Sequence, residues 1–421
     1  MSNTQKKNLP ELRFPGFEGE WEEKKLGEFC EFNNGINAKK EQYGMGRKFI
    51  NVLDILNNNF ITYESIIGKV SVPENVEKNN KVEFGDLVFL RSSETREDVG
   101  LCNVYLDKNY ALYGGFIIRG KKVSDYNPIF LKEALNIPKK RYEIGSAAGG
   151  STRFNVSQDI LRKINVKFPS IKEQQKIGDL FSKLDRQIEL EEQKLELLKQ
   201  QKKGYMQKIF SQELRFKDEN GNDYPDWENV MLQKVLKDKT EGIKRGPFGG
   251  ALKKDIFVES GYAVYEQRNA IYDISNFRYY IDENKYNEML SFSVQPNDII
   301  MSCSGTIGRL SLIPQNFTKG IINQALIRFR TNHKIRSEFF LIFMRSNQMQ
   351  RKILEANPGS AITNLVPVKE LKLIPFPLPV KFEQDKISQF ILIINRRIEQ
   401  SEKKIESLKN RKQGFLQKLF I

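Results

Sequence analysis

The sequence has few of the residues that enzymes most often use for catalysis or metal binding. Its 421 residues include one histidine, His333, and three cysteines, Cys30, Cys102 and Cys303. Catalytic triads and Cys/His zinc modules need several such residues, so we expect no metal site and no catalytic site of these kinds. The cysteines also lack the close spacing of a disulfide framework, which is typical of the reducing cytoplasm.

Long apolar runs are absent as well. The longest apolar clusters, residues 339–344 and 390–394, are far shorter than the roughly 18 residues that a membrane span needs. Residues 1–9 are polar and contain no hydrophobic signal core. These absences predict a soluble, cytoplasmic protein with no membrane partner.

Positive charge is what the sequence has in excess. Lys and Arg total 68 against 53 Asp and Glu, which gives a formal net charge of +15 and a pI near 9.4. This balance suits a polyanionic partner such as nucleic acid or an acidic membrane surface. At about 100–200 residues per domain, the length predicts two or more domains, and 39% hydrophobic residues suffice for packed cores.

An internal repeat organises the chain. Residues 204–210 (GYMQKIF) are answered 210 positions later by residues 414–420 (GFLQKLF). The starts of the two halves also match, because residues 11–14 (ELRF) recur at residues 213–216. The chain is therefore interpreted as two copies of one plan.

Each half ends in a predicted long helix with a coiled-coil pattern. Apolar residues alternate spacings of four and three between residues 171 and 210 without an interrupting proline, and the second half repeats the pattern. The seam positions are Ile177, Phe181, Leu184, Ile188, Leu195 and Leu198 in the first helix, and Ile387, Ile391, Ile394, Ile398, Ile405 and Leu408 in the second. Polar residues also match, with Glu191 and Lys202 answered by Ser401 and Lys412. Two matching seams predict a helix pair, and the alternative is that each helix packs separately on its own domain.

The stretches between the helices contain short β-rich runs broken by Gly, Asn and Pro. We predict strands at residues 48–52, 87–90, 116–119, 164–168, 262–265, 299–301, 326–330 and 371–376, and short helices at residues 129–135 and 337–347. Each stretch fits a mixed α+β domain whose strand order the pattern does not give. Trp21 and Trp227 stand near the two domain starts, where we expect them to anchor the cores.

The predicted fold class is therefore α+β, with two tandem mixed α/β domains separated by two long helices that form an antiparallel coiled coil. The predicted boundaries are residues 1–170 for the first domain with its N-terminal arm, 171–210 for the first helix, 211–380 for the second domain and 381–421 for the second helix. The domains should lie at opposite ends of a rod about 60 Å long. The second helix must then run back along the first, which predicts pseudo-twofold symmetry. Such an arrangement suits duplex DNA with two half-sites that flank unread base pairs.

Three features carry a family likeness. They are residues 10–17 (PELRFPGF) followed by Trp21 and Leu26, two long helices that begin with Glu-Gln, and residues 297–309 (NDIIMSCSGTIGR). Together they resemble the specificity (S) subunits of type I restriction-modification enzymes. The resemblance spans nearly the whole chain.

The resemblance implies a DNA reader without chemistry of its own. In this family two target-recognition domains each read one half of a split DNA sequence, and an antiparallel coil sets the spacing and binds two methyltransferase (M) subunits. The M subunits bind S-adenosylmethionine and methylate adenine, and restriction (R) subunits translocate and cleave DNA using ATP with Mg. By this likeness the chain is bacterial and DNA-associated, binds double-stranded DNA together with M and R subunits, and holds no cofactor itself.

The sequence gives no sign of a hidden active site. The methyltransferase motif Asn/Asp-Pro-Pro-aromatic is absent, since residues 127–130 (NPIF) and 357–360 (NPGS) lack the second proline. Residues 247–250 (PFGG) are followed by ALKK and not by the Gly-Lys-Ser/Thr of a phosphate-binding loop. No acids cluster for two-metal chemistry, and Asp86 and Asp298 are interpreted as turn residues that cap their own backbone.

The candidate DNA contacts are basic and polar loop residues, because phosphate contacts fix the register and side chains in a groove read base edges. The first half supplies Lys39, Lys40, Arg91, Ser92, Arg96, Arg153 and Asn155. The second half supplies Arg245, Lys253, Lys254, Ser302, Ser304, Thr306, Arg309 and Asn364. The first half lacks the Ser-Gly-Thr-Ile-Gly run of residues 304–308, so we expect its loop to be built differently.

Simpler interpretations stay open. The lysine pairs fit solvated surface lysines, and the small-residue loops at residues 149–155 and 359–364 fit ordinary turns. Asn323 and Gln324 fit adenine reading or a strand-edge hydrogen bond equally well. For the whole chain the alternative is a non-enzymatic protein–protein scaffold with duplicated binding domains, and a weaker one is an independent DNA enzyme with an unfamiliar site.

Overall fold

The chain forms two units in the computed structural model, which describes residues 8–248, 250–355 and 367–420. Unit 1 consists of Met1–Lys194 and Ser401–Ile421, and unit 2 consists of Leu195–Gln400. Each unit mixes strands and helices, so the predicted α+β class is confirmed. Each also contains a part of both long helices.

Unit 1 is built around a sheet that is buried on both faces. Its strands are β1 (Glu22–Lys25), β2 (Cys30–Asn34), β3 (Tyr43–Ile50), β4 (Lys69–Val70), β5 (Leu87–Leu90), β6 (Ser92–Ser93), β7 (Cys102–Val104), β8 (Leu112–Tyr113), β9 (Ile117–Lys122), β10 (Phe154–Asn155) and β11 (Asn165–Phe168). Its helices are α1 (Val52–Asn57), α2 (Glu74–Asn79), α3 (Pro128–Asn136), α4 (Pro138–Ala147), α5 (Gln158–Lys163) and the first part of α6 (Ile171–Phe210). The main sheet has the order β2-β9-β5-β7, and the apolar sequence of β5 places Leu87 and Phe89 in one core and Val88 in another.

Unit 2 has the same kind of two-faced sheet. Its strands are β12 (Glu228–Met231), β13 (Ile243–Arg245), β14 (Tyr262–Tyr265), β15 (Tyr280–Ile281), β16 (Ile299–Ser302), β17 (Leu310–Leu312), β18 (Gly320–Ile322), β19 (Leu326–Phe329) and β20 (Pro375–Leu378). Its helices, besides the end of α6, are α7 (Lys239–Gly242), α8 (Gln267–Tyr272), α9 (Glu283–Glu288), α10 (Ser337–Met344), α11 (Asn347–Glu355), α12 (Val368–Leu373) and the first part of α13 (Lys381–Leu419). In β16, Ile299 and Met301 point into one core and Ile300 into the other.

The sequence repeat is also a repeat of sheet topology. The order β2-β9-β5-β7 in unit 1 corresponds to β13-β19-β16-β17 in unit 2, and the order β4-β3-β8 corresponds to β15-β14-β18. In both smaller sheets the last pairing is parallel, and in both units the first and last strands of the domain pair, as β1 with β11 and β12 with β20. The strand order, which the sequence pattern did not give, is therefore shared by the two halves.

Two predicted strands differ from the structure. The strand predicted at residues 48–52 is shorter at its end, because β3 stops at Ile50 and Val52 begins α1. Residues 371–376 were predicted as one strand, but α12 continues to Leu373 and β20 starts only at Pro375. The helix forms because Val368 and Leu371, three positions apart, lie on one face and pack on the core of unit 2. The prolines of β20 are tolerated because its ladder has a single partner, β12.

A buried carboxylate at the start of each long helix holds the N-terminal arm of the same unit. In unit 1, Arg13 donates from Nε and Nη2 to the two carboxylate oxygens of Glu173, at 2.8 Å each. In unit 2, Arg215 donates in the same way to Glu383, at 3.0 and 2.9 Å. Trp227 Nε1 donates to the same Glu383 carboxylate at 2.8 Å. These bidentate pairs explain why the ELRF segment and the helix start recur together.

The glutamine that follows each of these acids ties the helix to the domain. Gln174 Nε2 donates to the carbonyl of Pro169, and its Oε1 accepts the backbone N–H of Asn127 at the start of α3, at 2.9 and 3.0 Å. Gln384 makes the equivalent bonds to Pro379 and to the backbone N–H of Arg336, which precedes α10, at 2.8 and 2.7 Å. The Glu-Gln pair is therefore structural in both halves.

Replacing Glu383 tests the first of these roles. We expect Glu383→Gln to lower the free energy of unfolding of unit 2 by about 3 kcal/mol, because it leaves the Arg215 guanidinium without its charged partner in a buried setting. Chemical denaturation followed by tryptophan fluorescence measures the effect, since Trp227 contacts this carboxylate. The exposed Glu219→Gln is the matched control. Equal stabilities of the two variants would contradict the role given to Glu383.

The long helices pair antiparallel in unit 1. Glu192 bonds Lys409 at 2.7 Å, and Asp185 bonds Lys412 at 2.7 Å, so the numbers fall along α6 as they rise along α13. Glu191 accepts from the Ser401 hydroxyl at 2.7 Å. Hydrogen bonds from Lys194, Ser401 and Lys404 lower the pKa of Glu191 to about 2.

The same direction is found within unit 2, where the Tyr205 and Phe390 rings meet edge to face at 5.1 Å and Ile209 shares a core with Ile387 and Ile391. The seam residues predicted from the sequence are buried or half-buried along both helices. The coiled-coil prediction is therefore confirmed. The alternative of separate helices is wrong, although the outer ends of both helices also pack into the cores.

Both tryptophans occupy the expected core region. Trp21 is buried in the core of unit 1, edge to face with Phe130 and Phe420. Trp227 is half-buried and packs against the core of unit 2. Within the described ranges, neither long helix nor any other is apolar enough over a sufficient length to cross a membrane.

Candidate nucleic-acid interface

Five candidate residues of the first half come together at one place in unit 1, namely Arg91, Ser92, Arg96, Arg153 and Asn155. β6 pairs with β10, so that Ser92 lies opposite Asn155 and Ser93 lies opposite Phe154. The backbone of Arg91 donates to the carbonyl of Phe116 at 2.8 Å and accepts from the N–H of Val156 at 3.0 Å. Two loops that are about 60 residues apart in the sequence therefore form one surface.

Two arginines of this surface lie over phenylalanine rings. The Arg96 guanidinium lies 4.4 Å from the ring centre of Phe154, and that of Arg153 lies 5.7 Å from the ring centre of Phe116. Phe116 is 56% exposed, so its ring forms part of the solvent-facing surface. We define the arginine–phenylalanine surface as Arg91, Ser92, Arg96, Phe116, Arg153, Phe154 and Asn155. Cationic groups held close to aromatic rings suit both phosphate contact and base stacking.

A tight turn fixes the second of these loops. Gly149 and Asn155 exchange backbone hydrogen bonds at 3.1 and 2.8 Å, which closes the turn. Gly150 has a φ of +115°, and a Cβ added there would lie 2.1 Å from the carbonyl oxygen of Arg153. Glycine is therefore required at this position, and the turn presents Arg153 and Asn155 outward.

The two lysine pairs have the same local structure. Lys39 and Lys253 each precede a single 3₁₀ turn, which begins at Lys40 in unit 1 and at Lys254 in unit 2, and all of these lysines are exposed. The glycine loop before each pair passes close to another backbone. A Cβ on Gly35 would lie 2.1 Å from the carbonyl oxygen of Gly114, two residues before Phe116. The two pairs therefore occupy similar local structures, and their contact with DNA stays a prediction.

The serine–glycine loop of unit 2 is a hairpin connection between β16 and β17. Gly305 and Gly308 have φ values of +62° and +82°, a region that favours glycine. Gln350 of α11 donates from Nε2 to the carbonyl of Gly308 at 3.0 Å. The loop leaves Thr306 and Arg309 exposed and Ser304 half-buried. The corresponding segment of unit 1 instead forms β6 against β10, so the expected difference between the two loops is confirmed.

Ser302 is placed differently from the prediction that it contacts DNA. It is fully buried at the end of β16, and its hydroxyl accepts the N–H of Arg309 at 3.0 Å. Its backbone bonds both Arg309 and Gly308, so Ser302 shapes the loop and cannot present its hydroxyl to a base. Arg245 is half-buried at the end of β13. Asn364, with the small-residue loop at residues 359–364, lies outside the described residues.

The aspartates that precede β5 and β16 cap their turns, as predicted. Asp86 accepts the N–H of Glu83 at 2.9 Å, and Asp298 accepts the N–H of Gln295 at 2.8 Å. Burial raises the pKa of Asp86. Asp298 also holds Arg330 through two bonds of 2.8 Å, so it belongs to the interior of unit 2. Among the described residues, no group of three or more His, Cys, Asp or Glu side chains could hold a metal ion.

The geometry defines a class of protein with a duplicated domain. Two units with the same topology each carry a loop surface, and both contain parts of the same pair of long helices. Residues 18–200 and 248–410 match the family described as the type I restriction modification DNA specificity domain. The chain therefore belongs to this family, and the resemblance seen in the sequence is confirmed.

Individual relatives agree with this assignment over nearly the whole chain. The chain is 23% identical over 413 residues to the putative type I restriction enzyme MjaX specificity subunit of Methanocaldococcus jannaschii, with 94% of this chain and 92% of the relative covered. It is 22% identical over 426 residues to the type I restriction enzyme MjaVIII specificity subunit of the same organism, with 97% and 93% covered. Its fold is similar to the crystal structure of the S subunit of the type I restriction-modification system from M. genitalium, with a TM-score of 0.59, 15% identity, and 98% and 99% covered.

Removing the two arginines that lie over phenylalanine rings tests the surface of unit 1. We expect the double variant Arg96→Ala, Arg153→Ala to weaken DNA binding at least tenfold, because the removal of one base or phosphate interaction costs about 1–3 kcal/mol. The logarithm of the binding constant should also fall less steeply with the logarithm of salt concentration, by about 0.9 for each phosphate that is no longer neutralised. Fluorescence anisotropy at several salt concentrations measures both effects.

The control for this experiment is Arg162→Ala. Arg162 is an exposed arginine of α5 that pairs with Asp159 at 2.7 Å and lies outside the arginine–phenylalanine surface. We expect this variant to bind like the unmodified chain. If the two variants bind with equally reduced affinity, the surface has no special role.

Proposed function

We propose that this chain is the DNA-reading subunit of a type I restriction-modification complex, in which each unit reads one half of a bipartite target. The observation that carries this proposal is the arginine–phenylalanine surface, which joins residues from three separate loops of unit 1 on a β6–β10 ladder. In unit 2 the exposed Thr306 and Arg309 occupy the loop after the equivalent strand, β16. The membership of the specificity family supports a role for both surfaces in sequence recognition.

The two surfaces are chemically different, as two half-sites of different sequence require. The surface of unit 1 offers guanidinium groups on aromatic rings, and the loop of unit 2 offers hydroxyl and guanidinium groups on a glycine-rich turn. Arginine reads guanine through two hydrogen bonds, whereas serine and threonine accept several bases. We therefore propose that the two units recognise different bases within the same target.

In the proposed function, the long helices set the length of the DNA spacer between the half-sites and bind the methyltransferase (M) subunits. α6 has 40 residues, which corresponds to a length of about 60 Å. Its seam is buried against α13, whereas Leu190 and Leu197 are about half exposed on another face. Exposed leucines on a paired helix are suited to binding a further protein.

The proposed complex divides the chemistry among its subunits. This chain contributes recognition and no catalytic residue, the M subunits bind S-adenosylmethionine and methylate adenine, and R subunits use ATP with Mg to cleave. In this proposal Asp86 and Asp298 have no catalytic part, because each serves as the cap of a turn.

Modified-base sequencing of DNA from cells with and without the gene tests the function directly. We expect one bipartite adenine methylation motif to disappear when the gene is deleted and to return when it is restored. A restored copy that carries the Arg96→Ala, Arg153→Ala double substitution should return less methylation than a copy that carries Arg162→Ala. An unchanged set of motifs after deletion would contradict the proposal and favour the scaffold alternative.

A further inference from the structure

Unit 2 contains a positively charged cleft between the end of α6 and α11. It has a volume of about 720 Å³ and is open to solvent. Lys202, Lys203, Arg345, Arg351 and Lys352 line it, together with a single acid, Glu355. Met206 and Phe210 supply an apolar floor.

The repeat provides an internal comparison for this cleft, because Lys202 is the equivalent of Lys412 in unit 1. Lys412 is compensated there, since its ammonium group lies 2.7 Å from Asp185 and 3.4 Å from Glu133. The equivalents of these two acids in unit 2 are the neutral residues Asn395 and Ile342. Among the residues that the structure describes, Lys202 therefore has no carboxylate partner.

The same contrast appears in the titration of the two lysines. The carboxylates of Glu133 and Asp185 raise the pKa of Lys412 although burial opposes this. Burial and the nearby charge of Arg345 lower the pKa of Lys202. A half-buried ammonium group of this kind costs free energy until an anion approaches it.

Three other cations of the cleft also have no carboxylate close to them among the described residues. Over the described ranges, Lys203, Arg351 and Lys352 form no ion pair, whereas Arg345 is paired with Asp273 at 3.2 Å. A site with several cations and one acid has a strong electrostatic preference for a negatively charged ligand.

We propose that this cleft binds an acidic, amphipathic segment of a partner protein, with carboxylates against Lys202 and Arg351 and an apolar side chain on Met206 and Phe210. A protein segment is favoured over DNA because the site is concave and has an apolar floor, whereas backbone phosphates need only an exposed array of cations. Residues 356–366, which follow Glu355, carry no acidic side chain and do not complement the charge. The inference rests on the proposed function, in which the partner is the M subunit.

The site is expected in one half of the chain only. In unit 1 the seam lysine is already bound by acids of its own unit, so the equivalent position has no attraction left for a partner's carboxylate. Two copies of one M subunit would then meet two different docking surfaces. The cleft thus distinguishes the halves of a duplicated protein.

Charge reversal with the full chain tests the proposal. The variant Lys203→Glu, Arg351→Glu changes two exposed cleft residues, and the control variant Lys78→Glu, Lys108→Glu changes two exposed lysines of unit 1 that lie outside both long helices. Binding of the purified M subunit is titrated without DNA, and thermal melting verifies that both variants fold. We expect the cleft variant to bind at least tenfold more weakly and the control to bind almost as well as the unmodified chain.

Photo-crosslinking identifies the occupant. A photoreactive residue at Gln348, an exposed residue of the cleft, should attach to an M-subunit peptide that contains several Asp or Glu, and one at the exposed Asn79 of α2 should not. Equal affinities of the two charge variants, or crosslinking of Gln348 to DNA or to a peptide without acids, would overturn the inference alone. Failure of the unmodified chain to bind the M subunit at all would overturn the proposed function as well.

Discussion

Exchange of residues 21–168 for the corresponding segment of another specificity subunit is expected to change one half of the DNA target completely and to leave the other half intact. The exchanged segment contains every residue of the arginine–phenylalanine surface, and none of the candidate contacts of unit 2. Methylation motifs in cells that express the chimera measure the result. The reciprocal exchange of residues 227–378 should change the other half.

The boundaries of this exchange matter for stability. The segment packs on the helices through Asn127, which bonds Gln174, and through Trp21 and Phe130, which contact Phe420. A donor with different residues at these positions would leave a cavity or an unpaired polar group. A chimera that folds and alters both halves of the target would contradict independent reading by the two units.

Deletion of one heptad from each long helix is expected to shorten the spacer of the target by about three base pairs. Seven residues rise about 10 Å along a helix, and one base pair occupies about 3.4 Å. The deletions must come from facing stretches of α6 and α13 so that both seams stay in register. Both half-sites should keep their sequence, because neither loop surface changes.

A control of equal length separates spacing from stability. Replacement of the same heptads by others with the same pattern of apolar and polar residues keeps the rise of both helices. We expect this variant to methylate the original motif. If the deletion variant still methylates the original spacing, the helices do not determine it.

The sequence predicted the long helices well because their signal is local and repeated. Apolar residues recur along each helix at alternating spacings of four and three. The burial of a seam residue such as Ile188 or Ile394 can therefore be predicted from the apolar residues three and four positions away. The capping of turns by Asp86 and Asp298 was predictable for the same reason, since the acceptor and the donor are three residues apart. The strand order could not be obtained in this way, because pairs such as β2 with β9 join residues about 90 positions apart.

For the arginine–phenylalanine surface, the sequence pointed to the arginines but not to the phenylalanines. Phe116 and Phe154 lie under arginines that are 37 and 58 residues away in the sequence, and no local pattern links such positions. Ser302 is a predicted contact because it follows a predicted buried strand and could present its hydroxyl group to DNA. It is buried because β16 lies between two cores, which the uninterrupted apolar run before it already indicated.

The contact between Glu191 and Ser401 joins two positions that are equivalents in the repeat, 210 residues apart. If one half of the chain paired with a second copy of itself, the residue at this position would contact the same residue of the other copy. Two first halves would bring two Glu191 carboxylates together in a buried seam, where like charges repel and neither carboxylate has a hydroxyl partner. Two second halves would bring together two serines, which can bond each other. The contact between a glutamate and a serine therefore favours the chain that contains both halves over a dimer of its first halves. A duplicated sequence implies a symmetric ancestor made of two identical halves, and the Glu191 side chain in the seam opposes a return to that state.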